Sequence, residues 1–392
     1  MNAELSPEFD EAPDRTDSGS LKWQRYAGRD VLPMWVADMD FCVPAPVLEA
    51  LHHRVDHKIL GYSVPHAGVV EAVVEYLFRE HGVEVDPSWL VFTPGMVPAL
   101  AQTSAAVGRE GDAVLVCTPV YPPFLKVNRD TDRSLITVPL REMPGPSLHY
   151  TIDFDALEAA VTPRTRLFIL CSPHNPVGRV FSREEMEDIA EFCIRHDLIL
   201  CSDEIHADLL LEPDISPHTS AVSLSGEIRQ RTITLLAASK TYNIPGLACA
   251  FAVIPNPELR RRFVAAKNCF VAEVNPLGYH ATEAAYKFGK PWLDRLRAYL
   301  RGNRDLIASF VSDRLPHIRV PHLQATYLAW LDVRSLNLDA PVAHFEQHGL
   351  GLSNGADFGA PGFVRLNFGC SRARLHTALE RFASACRAAQ TL

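Results

Sequence analysis

Thr232-Ile-Thr-Leu-Leu-Ala-Ala-Ser-Lys-Thr-Tyr-Asn-Ile-Pro-Gly-Leu247 places one lysine just past an apolar, β-branched run and just before a turn ended by Pro245-Gly246. The run Thr232–Leu236 reads as a buried strand, and Lys240 stands beyond its carboxyl end. A lysine in that position loses hydration, which disfavours its charged form and frees the amine to condense with an aldehyde. A solvated loop lysine is the competing reading, and the rest of the chain decides between them.

Other β-rich runs recur at Ala113–Thr118, Leu167–Cys171, Leu198–Ser202 and Ala248–Ile254, alternating with helical segments. Such alternation predicts an α/β fold with a largely parallel sheet. Leu90-Val-Phe-Thr-Pro-Gly-Met-Val97 adds a short strand and a turn into an alanine-rich helix. The free N–H groups at that helix start, at Gly95, Met96 and Val97, form a candidate phosphate site. The clearest helix opens at Ser182, where Glu185 completes a capping box and Met186, Ile189, Ala190 and Cys193 share one face. It leads into the strand that ends at Asp203. Ligands of open α/β sheets collect beyond the carboxyl ends of the strands.

The 392 residues are 47% hydrophobic and carry a formal net charge of -9 without any block of Lys or Arg. That argues for a globular protein with large cores and against nucleic acid or an anionic membrane as partner. No apolar run is long enough to span a bilayer, and the start Met1-Asn-Ala-Glu-Leu-Ser-Pro-Glu is acidic where a secretory signal is basic, so a cytoplasmic location is expected. Nine cysteines lack metal-ligand spacing, and Cys117, Cys171 and Cys201 fall inside strands; they are expected to be reduced core residues, with no disulfide and no metal.

Several polar residues fall where strands end. Ser172-Pro-His-Asn-Pro-Val-Gly-Arg179 forces a turn that presents Asn175, which turn geometry alone would also select. Asp203, in Cys-Ser-Asp-Glu-Ile-His206, can pair with a protonated ring nitrogen or cap a helix. Arg365, in Phe363-Val-Arg-Leu-Asn-Phe-Gly369, suits a bidentate grip on a carboxylate, or a structural salt bridge.

The ordered set of a phosphate turn, Tyr121, Asn175, Asp203, Lys240 and Arg365 resembles the fold-type I pyridoxal phosphate (PLP) enzymes. Within them, Trp35-Val-Ala-Asp-Met-Asp-Phe41, Gly61-Tyr62-Ser63, Thr93-Pro-Gly-Met-Val-Pro98, Ser202-Asp-Glu-Ile-His206, Ser239-Lys-Thr-Tyr-Asn-Ile244, Ala325-Thr-Tyr-Leu-Ala-Trp-Leu331 and Val364-Arg-Leu-Asn-Phe368 resemble the cystathionine β-lyases of the MalY/PatB type, over about Lys22 to Ala388. From about Pro291 the texture changes to an arginine-rich amphipathic helix and shorter strands, which reads as a smaller α/β domain over 291–392 after a large PLP-binding domain over 56–290. A segment over 21–55 is expected to pack on the small domain, and 1–20, which mix Pro, Asp, Glu, Ser and Gly without periodicity, are expected as a mobile arm or one draped over a neighbour. Lys240 would carry the cofactor as a Schiff base and act as the base. Asp203 would pair with the pyridine nitrogen and Asn175 would donate to the ring hydroxyl. Tyr121 would stack on the ring and His206 would stand near its oxygen. Gly95, Met96, Val97 and Ser239 would bind the cofactor too. Arg365, Asn175, Trp35 and Tyr62 would meet the substrate, with Tyr62 reaching the neighbouring subunit's cofactor phosphate in a homodimer.

Two departures stand out. Ala237 occupies a position where relatives commonly have a phosphate-binding serine, and Phe270-Val-Ala-Glu-Val-Asn275 replaces a glycine-containing segment. The second suggests a bulky S-cysteinyl conjugate in place of plain cystathionine. The implied reaction is β-elimination from an S-substituted L-cysteine, giving thiol, pyruvate and ammonia. Transamination and a decarboxylating deamination to an aldehyde are the alternatives.

Overall fold

The computed structural model describes residues 7–129, 131–145, 147–267 and 271–390. Seven strands form one sheet: β1 (Leu90–Thr93), β2 (Ala113–Thr118), β3 (Ser134–Pro139), β4 (Thr165–Cys171), β5 (Ile199–Asp203), β6 (Thr232–Leu236) and β7 (Ala250–Val253). Their spatial order is β1-β7-β6-β5-β4-β2-β3. Only β7 runs against the others, pairing antiparallel with both β6 and β1. Side chains alternate between two apolar layers: Val114, Val116, Leu167 and Ile169 pack into one, and Leu115, Cys117, Phe168 and Leu170 into the other. Both faces of the sheet are therefore covered, as a parallel sheet requires. Edge strand β3 is absent from the sequence expectation, because Ser134 and Thr137 are exposed on it and its apolar run is correspondingly short.

The helix Arg183–Arg195 starts as predicted. Ser182 accepts from the Glu185 N–H at 3.2 Å, and Glu185 accepts from the Ser182 N–H at 2.8 Å. After the sheet, the long helix Lys290–Arg314 leads to a three-stranded antiparallel sheet of β8 (Leu328–Asp332), β9 (Ser353–Asn354) and β10 (Phe363–Asn367), with β10 central. The chain closes on the helix Arg372–Ala389. Near the other end of the chain, Leu32–Pro33 pairs with Leu350–Gly351, so the N-terminal segment is tied to this C-terminal part. Among the described residues no helix is long and apolar enough to cross a membrane.

The segment expected as a mobile arm behaves differently where it is described; residues 1–6 lie outside the described residues. Phe9 is 1% exposed and its ring sits 5.1 Å from Phe41, 5.7 Å from Trp292 and 5.3 Å from Tyr299. Arg15 then pairs with Asp38 at 2.8 Å and Asp40 at 2.7 Å. A polar, proline-containing composition hides this, since the contacts rest on one buried aromatic and one arginine that meets two carboxylates.

Candidate active site

Three parallel strands end level. The register sets Asp203 beside Cys171 of β4 and Leu235 of β6, so the turns leaving β4, β5 and β6 enter one space. Asn175, His206, Ser239 and Lys240 lie on those turns, and Tyr121 on the turn after β2. From β1 the chain turns through Gly95, held at φ +117° where L side chains rarely go, into the helix Met96–Ala106. All of these converge: Gly95, Met96, Val97, Tyr121, Asn175, Asp203, His206, Ser239 and Lys240 line one cavity. An adjoining cleft shares Ala37, Tyr121 and Lys240 with that cavity and adds Trp35, Ser353 and Arg365. Tyr62 lines neither; it is fully exposed, at 107% of its reference area.

The segment 35–41 bends past the site, and its carbonyls are nearly all taken. Lys240 Nζ donates to Ala37 O at 2.5 Å, and the Tyr327 hydroxyl donates to the same oxygen at 3.0 Å. Asn367 Nδ2 donates to Val36 O and Asp38 O at 2.6 and 2.7 Å. Asn243 accepts from the Met39 N–H at 2.9 Å and donates to Met39 O and Phe41 O at 3.0 and 2.8 Å. Trp35 O accepts from Ser353 Oγ at 2.7 Å and Arg365 Nη2 at 3.1 Å. The indole N–H of Trp35 is spent on Lys22 O, so this residue contributes its carbonyl to the Arg365 cluster and its ring to the cleft wall.

Burial governs the charges. It brings Lys240 down to about 8, assisted by the positive charge of Arg365 and opposed by Asp38 and Asp203. Roughly a tenth of such an amine is neutral at pH 7, far more than for a solvated lysine. Burial lifts Asp203 to about 7 although the Ile205 N–H, 3.1 Å from Oδ1, stabilises its anion. That bond makes a short turn after β5, not a helix cap. No cation pairs with Asp203 among the described residues, so the carboxylate is set for a positive group in the cavity.

His206 is pushed down to about 3 by burial and by the charges of Lys240 and Arg365, and its buried Nδ1 has no partner. It is a neutral imidazole, and neither ring nitrogen has a hydrogen-bond partner among the described residues. Arg365, on β10 opposite Trp330 and Ser353, is lowered to about 10 by burial and remains cationic at neutral pH. It donates to Asn175 Oδ1 at 2.9 Å and stacks 4.7 Å from the Phe358 ring centroid. No carboxylate pairs with it among the described residues, so the salt-bridge alternative falls away. With Oδ1 of Asn175 occupied, its amide N–H groups are the part left for a ligand.

Ala237 packs into the apolar layer beneath the sheet, which leaves Ser239 as the hydroxyl beside the cavity. Phe270 lies outside the described residues. At the other end of its segment, Asn275 caps the helix Pro276–Phe288 by accepting from the Gly278 N–H at 3.0 Å, so that asparagine is structural. His174 escaped the sequence reading as well. Its two ring nitrogens sit 3.1 Å from Cys171 O and 2.7 Å from Pro119 O, which ties the turn carrying Asn175 to the one carrying Tyr121. Tyr327, Asn243 and Asn367 all stood inside the quoted motifs; nothing short of the fold showed that they grip one distant segment.

The model of the family described as aminotransferase class I and II matches residues 30–382. The chain is 38% identical over 388 residues to cystathionine beta-lyase PatB of Bacillus subtilis (strain 168), covering 96% of this chain and 99% of that one. The crystal structure of OvoB superposes with a TM-score of 0.92 at 42% identity, covering 96% of this chain and 98% of the other. Cystalysin from Treponema denticola, whose crystal structure contains a pyridoxal 5'-phosphate cofactor, superposes at 0.91 with 32% identity over 97% and 98% of the two chains. By its sheet order, by its lysine at the end of β6 and by these matches along nearly its whole length, the chain belongs to the class I and II aminotransferase family, on the branch that includes PatB.

Proposed function

We propose that the chain is a PLP-dependent carbon–sulfur β-lyase that converts an S-substituted L-cysteine to a thiol, pyruvate and ammonia. The observation that carries this is the meeting of Lys240, Asp203, Asn175 and Arg365 in one cavity and its adjoining cleft. The residues fit PLP on three counts: a buried carboxylate without a cation, a lysine amine made partly neutral, and a glycine turn into a helix start where a phosphate can be held by N–H groups. When bound, PLP supplies an electron sink that makes the Cα proton of an amino acid acidic and allows a thiolate to leave from Cβ.

The protein's part is binding, orientation and proton transfer. Gly95, Met96, Val97 and Ser239 would hold the phosphate, and Tyr121 would cover the ring. Asp203 would face the ring nitrogen, whose positive charge when protonated would favour the carboxylate anion, and that anion would in turn keep the nitrogen protonated. The free amide N–H of Asn175 and the neutral His206 would serve the ring oxygen side. Arg365 grips the substrate carboxylate with the donors that Asn175, Trp35 and Ser353 do not fully occupy. Lys240 takes the proton from Cα, and the Ala37 carbonyl, 2.5 Å from Nζ, gives the released ammonium a place to rest. The thiolate leaves with its electron pair, and water hydrolyses the released three-carbon enamine to pyruvate and ammonia.

The active unit is a homodimer with shared sites and a cytoplasmic location. Support for the dimer comes from Tyr62 and its neighbours: Ile59, Leu60 and Val64 are also exposed, an apolar stretch that needs cover. Tyr62 covered in this way reaches the partner's cofactor phosphate.

Product analysis with an S-alkyl-L-cysteine tests the reaction. Free thiol with pyruvate in equal amounts is the expected result, lost in Lys240→Ala. A sulfur-retaining keto acid formed only with an added amino acceptor makes the protein an aminotransferase, and a sulfur-retaining aldehyde makes it a decarboxylating enzyme.

A further inference from the structure

Beyond Arg365, the substrate cleft is lined by a second arginine. Arg25 shares that cleft with Lys240, Trp35, Asn354 and Asp357. Its guanidinium lies 4.6 Å from the Trp35 ring centroid and 5.5 Å from that of Tyr26, cation–π contacts that hold it at the cleft wall. Among the described residues it makes no hydrogen bond. Its nearest carboxylate, Glu346, stands 3.6 Å away and is already engaged by the Tyr26 hydroxyl at 2.7 Å and by Arg29 at 3.5 Å. Across the same cleft, the exposed Asp357 has no hydrogen-bond or ion-pair partner among the described residues. Arg365 is buried and Lys240 half-buried, whereas Arg25 and Asp357 are exposed, so the second pair stands nearer to solvent.

On the reading of this site as a carbon–sulfur lyase, we infer that Arg25, braced on Trp35, and Asp357 form a distal subsite that selects the far end of the sulfur substituent: Arg25 binds a carboxylate there and Asp357 an ammonium. The preferred substrates are then cysteine S-conjugates whose leaving thiol is charged, and plain S-alkyl cysteines are poorer ones. Arg25 and Asp357 have separate partners in such a substrate, and each charge can be tested by itself.

The test uses the holoenzyme and three conjugates of similar size: S-(2-carboxyethyl)-, S-(2-aminoethyl)- and S-propyl-L-cysteine. Arg25→Gln raises KM for the carboxyethyl conjugate about tenfold or more, the worth of one charge-assisted hydrogen bond. Its kcat stays within about twofold, as does KM for the propyl conjugate, because the contact holds ground state and transition state alike. Arg25→Lys keeps part of the effect, which separates charge from fold. Asp357→Asn raises KM for the aminoethyl conjugate alone. Equal KM changes for all three conjugates, or none, overturn the subsite. Absence of thiol release from every conjugate defeats the lyase reading; the subsite is then judged by calorimetric binding, where tighter binding of the carboxyethyl than the propyl conjugate, lost in Arg25→Gln, upholds it and equal binding refutes it.

Discussion

Asp203 shows how one residue records what its site is for. A carboxylate lifted to about 7 by burial is a poor choice for an empty cavity and a good one for a cavity that receives a cation. The sign of its effect on the apoprotein follows. Below the ordinary carboxylate value near 3.8 both folded and unfolded states hold the proton, so nothing is lost. Between there and about 7 the unfolded chain ionises while the folded one resists, and stability falls as pH rises through that window. The thermal midpoint of the apoprotein should therefore carry a falling component over this range that Asp203→Asn removes. The same variant in the holoenzyme should lower kcat by about two orders of magnitude or more, through loss of the charge facing the ring nitrogen. An apoprotein profile identical in the wild type and Asp203→Asn contradicts this account.

Among the elements, the helix Arg183–Arg195 matters because it delivers β5 and therefore Asp203 to the sheet edge. Its start is set by the reciprocal bonds of Ser182 and Glu185, and Arg179 adds an ion pair to Glu185 at 2.6 Å. Ser182→Ala should cost about 1 kcal/mol in denaturant unfolding, the usual worth of an N-cap. Ser182→Asn should restore most of it, and equal loss in both variants would mean the cap is not what holds this end. In contrast, the helix Met96–Ala106 begins at Gly95 without any side-chain cap. Its first N–H groups border the cavity, which is where a ligand phosphate takes over the capping.

Across the whole molecule, the N-terminal strap, the segment 35–41 and the C-terminal helix meet at Asp40. This buried carboxylate accepts from Lys22 at 3.0 Å, Arg15 at 2.7 Å and Arg374 at 2.8 Å, and Lys22 is itself fully buried. Three cations hold Asp40 below the usual carboxylate range against its burial. Asp40→Ala strands Lys22 without its carboxylate and should cost about 3–5 kcal/mol in urea unfolding. Asp30→Ala, which removes an exposed carboxylate paired with Arg381, should cost about 1 kcal/mol or less and serves as control. Equal losses in the two would deny Asp40 its central place. The proposed dimer is tested at the same scale. Inactive Tyr62→Phe and Lys240→Ala proteins, mixed and allowed to exchange subunits, should recover about a quarter of wild-type activity, since half the dimers are hybrid and one of their two sites is intact. Full activity in Tyr62→Phe alone removes the shared site.

The order of the chemistry along the chain was legible without coordinates. Strands β2 and β6 and the helix Arg183–Arg195 carry their own periodicity, Ser182 and Glu185 their own cap, and Asn175, Asp203, Lys240 and Arg365 their positions after or within strands. These are local properties, decided by which side of a strand or helix is apolar and by which side chain can satisfy a free N–H. The strap at Phe9, the staple at His174 and the seizure of segment 35–41 were not legible. They consist of bonds to backbone carbonyls and of contacts between residues far apart in sequence, Lys240 and Ala37 being separated by 203 positions. A carbonyl has no side-chain signature, and an arginine left open beside a tryptophan reads like any surface arginine. Only the folded chain, by bringing Arg25 and Asp357 into the cleft of Lys240 and by leaving Tyr62 outside it, decides what the lysine meets.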